Sequence, residues 1–297
     1  MERRIFVSVN SDRTLDDRRR QIKEELLARI VAEGFEPQVF FERGLARAIP
    51  WSFENVLDVL RRCQGALILG FPRWRVTPEG GQSLKMVGEY SHFEGAVALA
   101  NGIPTLIAAE AGVMDRGIVY QGGGRIIAPI ADDATKETLF ADEFGNYFED
   151  WLTEINKRPD IFLGYCSEAS GPAAEIQLRL EKDGAKVHNW SMDFQSGASI
   201  LEEIQNAMAV CSRGVFVFSE DDPLESPSEM AAPRDNVVFE AGAFIGVKGP
   251  KNCLIVRVGD AKMPADLGGA IYVALGANGK VADIEGQLTD FVKRSVL

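Results

Sequence analysis

Apolar residues along the chain fall into two alternating patterns. Short unbroken runs such as "RIFVSVN" (4–10), "GALILGF" (65–71) and "PTLIAAE" (104–110) are bounded by polar or turn-forming residues, as buried strands are. Between them, apolar positions recur every three or four residues. "DDRRRQIKEELLARIVAEG" (16–34) puts Ile22, Leu26 and Ile30 on one face and stops at Gly34, which predicts a helix with a C-terminal glycine. "PQVFF" (37–41) predicts a strand, "SFENVLDVLRRCQ" (52–64) a helix capped by Ser52, and "HFEGAVALANG" (92–102) a further helix. "GRIIAPI" (124–130) and "KETLFADEFGNYFEDWLTEIN" (136–156) supply the last strand and helix of this half.

The second half repeats the order. "DIFLGYCSE" (160–168), "PAAEIQLRLEKDG" (172–184), "KVHNW" (186–190), "SILEEIQNAMAVC" (199–211), "GVFVFSEDD" (214–222), "NVVFEAGAFIGVKG" (236–249), "NCLIVRV" (252–258), "AIYVAL" (270–275) and "IEGQLTDFVKRSVL" (284–297) alternate strand and helix. Ile5 precedes Gly65 by 60 residues and Ile161 precedes Gly214 by 53, while Glu94 to Pro104 and Glu240 to Pro250 are both 10 apart. Matched spacings of this kind indicate an internal duplication. "NKRPD" (156–160), where a proline ends a helix, marks the boundary, giving domains 1–157 and 158–297. The predicted fold class is α/β: two tandem flavodoxin-like domains, each a mostly parallel five-stranded sheet flanked by helices. Such sheets bind ligands beyond the carboxyl ends of their strands. There "YCSEASG", "SEDDP" and the start of the Glu240 helix should converge.

Charge narrows the partners. The 297 residues carry a net charge of −12, with acidic groups in both halves, a surface that repels phosphate backbones and argues against nucleic acid as the main partner. No apolar run approaches the roughly 20 residues of a membrane span, and "MERRIFVSVNSD" is unlike a signal peptide. Cys63, Cys166, Cys211 and Cys253 are scattered among apolar segments, as reduced core thiols are. These features predict a cytosolic protein.

One carboxylate stands out. In "RDNVVFEAGAF" (234–244), Glu240 interrupts a run that should pack against a sheet, and Glu94 in "SHFEGAVALA" (91–100) sits in a near copy of that context. A glutamate one turn into a helix can simply interact with the helix N-terminus. It can equally hold ribose hydroxyls, or offset positive charge at an anomeric carbon during N-glycoside cleavage. No Ser-His-Asp set and no metal-ligand cluster competes with it; the metal expectation is none.

The second half, from "DIFLGYCSEASG" through "RDNVVFEAG", "GPKNCLIV" and "MPADLGG", resembles a TIR-like domain, of the bacterial nucleotide-binding type found as effectors in anti-phage systems triggered by cyclic nucleotides. The resemblance covers residues 159–297 and departs from many relatives at Ala241-Gly242-Ala243, where a larger aliphatic residue usually precedes the glycine. It implies NAD glycohydrolase activity with NAD as substrate, no separate cofactor, and Glu240 as the catalytic glutamate. It also implies that "SMDFQSGAS", with Asp193, Phe194, Ser196 and Gly197, is the loop covering the nucleotide. Tyr165 and Ser167 from the first strand, Asp221 after the third, and Arg234 and Asn236 at the helix start would complete the site. A homo-oligomeric active form and gating by a cyclic or other signalling nucleotide follow from the same resemblance. A non-catalytic nucleotide-binding or self-association module remains the alternative.

The first half resembles a more diverged TIR-like or deoxyribosyltransferase-like copy, in which "GEYSH" replaces "RDNV" and "PRWRVTPEGGQSLK" (72–85) is inserted as a loop. The expectation is a sensor domain that reads a signalling nucleotide or a degenerate copy used for self-association, with a second active hydrolase site as the third reading. Arg73, Trp74 and Arg75 on that loop, with His92 and Glu94, form a candidate ligand site, the aromatic to stack a base and the cations to hold a phosphate. A solvated loop with one anchoring tryptophan is the competing reading. His188 is expected to be packed in its strand. "YQGGGRI" (120–126) lacks the Lys-Ser/Thr of a phosphate loop and reads as a turn.

Overall fold

The computed structural model describes residues 3–45, 49–123, 126–141, 143–189, 200–223, 231–267, 272–276 and 280–294. They form two compact units, one spanning Arg3–Lys157 and the other beginning at Arg158.

The first unit runs β1 (Arg3–Ser8), α1 (Asp17–Ala32), β2 (Phe35–Gln38), α2 (Phe53–Leu60), β3 (Gly65–Gly70), β4 (Pro72–Val76), β5 (Leu84–Val87), α3 (Glu89–Ala100), β6 (Thr105–Glu110), β7 (Ile127–Ile130) and α4 (Glu143–Lys157). Five strands make an all-parallel sheet in the order β2-β1-β3-β6-β7. Every residue of β3 is buried, as expected of a central strand covered on both faces. Alternation along β1 and β3 sends Ile5, Val7, Leu67 and Leu69 into one core with Ile22, Leu26 and Ile30 of α1 and Phe148 of α4. Phe6 and Ala66 join Val56 and Leu60 of α2 and Val97 of α3 on the other face. The ends follow local chemistry. Asp16 caps α1 by accepting from Arg19 N, Ser52 caps α2 by accepting from Asn55 N, and Gly34 leaves α1 at φ 84°.

The second unit runs β8 (Ile161–Gly164), α5 (Ser170–Lys182), β9 (Val187–Asn189), α6 (Ile200–Val210), β10 (Arg213–Phe218), β11 (Asp222–Pro223), β12 (Ala231–Ala232), α7 (Asp235–Lys248), β13 (Cys253–Val258), β14 (Tyr272–Leu275) and α8 (Glu285–Lys293). Its parallel sheet has the order β9-β8-β10-β13-β14, the same topology as the first. Phe162 stacks on Phe244 at 5.0 Å and packs against Phe216 at 6.0 Å, fixing α7 over β8 and β10. His188 is packed as expected, stacked on Phe162 at 5.9 Å. All four cysteines are free and buried. Among the described residues no helix is long and apolar enough to cross a membrane.

Two local expectations need correction. The strand expected at 37–41 lies at Phe35–Gln38, and Phe41 instead turns the chain at φ 64°, a left-handed conformation costly for a bulky side chain. The insertion at 72–85, expected as a loop, contains the antiparallel pair β4–β5, with Trp74 opposite Met86 and Arg75 opposite Lys85. Its apolar residues are too few for an alternating pattern to announce a strand.

Arg213 opens β10 fully buried and spends its guanidinium on the end of α8, donating to the carbonyls of Phe291, Val292 and Arg294. A cation suits a helix C-terminus, whose last carbonyls lack partners. Arg213→Met should lower the unfolding free energy by about 3 kcal/mol, because it strands these carbonyls in the core. Denaturant unfolding checks this: an unchanged midpoint would show that the contacts contribute nothing.

Candidate functional site

In both sheets the chain reverses direction of winding between the first and third strands, and the crevice for a ligand opens at the carboxyl ends of that pair. In the second unit the pair is β8 and β10, and α7 lies across it. The core-facing stripe of α7 is Val237, Glu240, Ala241 and Phe244, the i, i+3, i+4, i+7 pattern of a packed helix. One of the four is therefore a carboxylate by position, not by accident of the surface. Glu240 is only 5% exposed. It meets β8 at its last residue, Gly164, where an added Cβ would lie 2.6 Å from Glu240 Oε2 and 2.8 Å from the Phe216 ring. Only glycine leaves room for the acid there.

Glu240 Oε2 is buried and has no hydrogen-bond partner among the described residues. Burial alone pushes its pKa from the ordinary 4.5 up to about 7. A buried, unpaired, half-ionised carboxylate at a topological switch point marks a functional-site candidate.

Around it the strand ends carry a polar rim. Cys166 Sγ lies 3.1 Å from Ser219 Oγ, which donates to Asp221 Oδ1 at 2.7 Å. Asp221 Oδ2 accepts from Arg234 N at 3.0 Å, tying the β10 end to the start of α7. The Arg234 guanidinium bonds Glu168 at 2.9 Å and faces Asp222 at 3.6 Å. Ser167 donates to Glu168 Oε2, and Asn236 is exposed in the first turn of α7. Of the residues expected at this site, Ser167, Asp221, Arg234, Asn236 and Glu240 thus gather at the ends of β8 and β10 and the start of α7. Tyr165 does not join them. Strand alternation turns it to the α5 side, where its hydroxyl donates to Asn189 at 2.8 Å and Asn189 donates to Gln177. Asp193, Phe194, Ser196 and Gly197 lie outside the described residues.

Cys166, Glu168 and Asp221 bring three potential metal ligands within 4.8 Å of one another, a grouping the sequence did not suggest. The donors fit a metal poorly: burial raises the Cys166 thiol, disfavouring the thiolate a metal needs, and both carboxylates are engaged by Arg234. Gly164 was also missed, and Ser219, though inside the "SEDDP" segment expected here, was not singled out. The repeat held a clue to the first, since β1 and β8 align with Ser8 where β8 has Gly164.

The first unit holds a copy of the same arrangement with a different outcome. Glu94 is the sixth residue of α3, as Glu240 is of α7, and is equally buried. Yet Trp51 Nε1 donates to Glu94 Oε1 at 2.7 Å, and the Ser8 hydroxyl also favours the ionised acid, so burial's upward push is partly countered. His92 accepts from Ile118 N through Nδ1 at 3.1 Å, and burial lowers its basicity. Arg73, Trp74 and Arg75 stand on β4 instead, Arg73 over the Trp74 ring at 5.2 Å.

Residues 160–277 match the family described as CAP12/Pycsar effector protein, TIR domain. The second unit carries a TIR domain of that family. Over 110 residues it is 32% identical to CD-NTase-associated protein 12 of Sphingobacterium faecium, covering 37% of this chain and 34% of that protein. Over 117 residues it is 31% identical to the Pycsar effector protein BcPycTIR of Burkholderia cepacia, covering 38% of this chain and 39% of that one. The chain thus matches roughly a third of the length of these curated relatives. A metazoan TIR-STING receptor from C. gigas, solved in complex with 2′,3′-cGAMP, is 15% identical with a TM-score of 0.36, covering 47% of this chain and 40% of that one.

The acidity of Glu240 has a stability consequence for the TIR domain. The folded value lies above the unfolded one, so the folded state is penalised once the unfolded acid ionises. The stability held at low pH falls as pH rises from 4.5 to 7 and then levels off. The total is about 3 kcal/mol. Glu240→Gln cannot ionise, so its stability relative to wild type should climb by about that amount over the same window. Thermal melts of both proteins across this range test it, and parallel curves would rule out the raised pKa.

Proposed function

We propose that the TIR domain is an NAD glycohydrolase, releasing nicotinamide and an ADP-ribose product, and that the protein is an effector in bacterial anti-phage defence. The observation that carries this reading is the buried, unpartnered Glu240 carboxylate at the switch-point crevice of a CAP12/Pycsar-type TIR domain. The nicotinamide of NAD is a cationic pyridinium that departs neutral, so the leaving group needs no general acid. As the bond from nitrogen to the ribose C1′ breaks, positive charge moves onto the sugar. An anion held in a low-dielectric crevice stabilises that charge far more than one in water. Water then adds to C1′ and its proton passes to solvent. Glu240 thus works best unprotonated, and its unpaired Oε2 is free to face the ribose. Arg234 and Asp221, joined across the crevice mouth, brace the start of α7 and hold the acid in position.

Unrestrained cleavage would empty a cell of NAD. The activity is therefore proposed to be gated, by a signalling nucleotide or by assembly into a homo-oligomer.

Nicotinamide release should be measured at high protein concentration, with and without a panel of cyclic nucleotides. Wild type should release it, and Glu240→Gln should lose about 10²-fold or more in kcat while keeping its fold. Silence of the wild type under every condition would instead favour a non-catalytic nucleotide-binding or self-association module. A second measurement follows from the chemistry of the acid. Below about 7 the free enzyme loses its ionised Glu240, so kcat/KM should fall tenfold per pH unit there. Bound pyridinium favours the carboxylate, so kcat should hold to lower pH. A pH profile flat through neutrality would remove Glu240 from the reaction.

A further inference from the structure

The crevice of the first unit has kept the plan of the second but not its free acid, and it has gained a rim of aromatic rings. Phe41 is 61% exposed, Phe53 51%, Trp74 50% and Tyr90 44%. All four lie on segments that leave the carboxyl end of β2 or β3, the edge where this fold takes ligands. Three of them, Phe53, Tyr90 and Trp74, are connected. Phe53 packs on Phe93 at 5.7 Å, Phe93 on Trp51 at 5.3 Å, and Trp51 on Tyr90 at 4.7 Å. Arg73 then lies between Tyr90, at 5.5 Å, and Trp74, at 5.2 Å. The result is a connected run of edge-to-face rings ending in the Arg73 guanidinium, which also faces Glu89 at 4.0 Å, with Arg75 exposed on the same strand. Phe41 is presented to solvent from a left-handed backbone that a large side chain resists.

We infer that the carboxyl edge of the first unit binds a nucleotide and holds it uncleaved. Rings at this edge stack a base whatever its identity, and Arg73 and Arg75 meet the phosphate. The ring at the centre of the run also closes the floor: Trp51 donates its indole N–H to Glu94, so the acid that matches Glu240 already has a partner. The same side chain that builds the binding surface therefore withdraws the chemistry. The choice of a nucleotide rests partly on the reading of the second site as an NAD site, since the two crevices share one plan.

The test uses the full chain carrying Glu240→Gln, titrated with the fluorescent nucleotide 1,N6-etheno-AMP and read by anisotropy. Saturable binding is expected, weakened about tenfold or more by adding Tyr90→Ala or Trp74→Ala and largely kept by Tyr90→Phe, which retains the ring. Both alanine variants change exposed side chains, and a melting curve verifies their fold. Binding absent up to millimolar probe, or indifferent to Tyr90 and Trp74, overturns the inference. Nicotinamide release from NAD by the Glu240→Gln chain, abolished by adding Glu94→Gln, overturns the claim that the first site does not cleave. Release by the wild type is assayed separately. A silent wild type whose probe binding still depends on Tyr90 would refute the hydrolase reading and leave this one standing.

Discussion

The second unit turns on the contact between a carboxylate and a glycine. Glu240 occupies a core position of α7, and the helix can lie close to β8 only because Gly164 has no side chain to collide with the acid. Removing a carboxyl group from water without giving it a partner is unfavourable, and the protein answers by letting it hold its proton near neutrality. Much of the surrounding structure serves to keep that arrangement from relaxing. Three packed phenylalanines, Phe162 stacked on Phe244 and Phe216 edge-on to it, fix the helix from below, and the Ser219–Asp221–Arg234 connections fix its start from above. A looser scaffold would let the acid swing out to water, where it would be ordinary.

The two halves show how small a chemical difference separates two fates of one design. Strand order, helix order and the position of the acid within its helix are the same. In one half the last residue of the first strand is glycine and the acid is left alone; in the other it is serine, and a tryptophan from the connection before α2 reaches the acid. The difference between the halves needs no change of fold. The difference lies in the hydrogen-bond donors supplied to one buried acceptor, which leave one acid paired and the other without a partner among the described residues.

The architecture was largely legible in the sequence because it is written in periodicities. Runs such as "GALILG" and "GVFVF" have few alternatives to buried strands, and the recurrence of Glu94 and Glu240 at matched distances from a following proline exposed the duplication. What escaped was set by long-range contacts. The β4–β5 pair has no alternating pattern, and the reach of Trp51 to Glu94 spans 43 residues. The convergence of "YCSEASG" and "SEDDP" was expected from the fold, but the individual bonds from Cys166 to Ser219 and from Ser219 to Asp221 were not. Tyr165 shows the same limit on a smaller scale. It neighbours residues at the crevice in sequence, but the period of two along a strand carries it to the opposite face.

Among the described residues the strands at the margins of both sheets are brief: β2, β7 and β14 have four residues each and β9 has three. Short margins offer a neighbouring molecule too little backbone to extend the sheet. Contacts between side chains on helices and loops are the alternative to such a ladder. An interface of that kind is assembled from individually replaceable contacts. It can be weakened by salt or by a single substitution, and it can be reversed, whereas a shared β-ladder tends toward permanence.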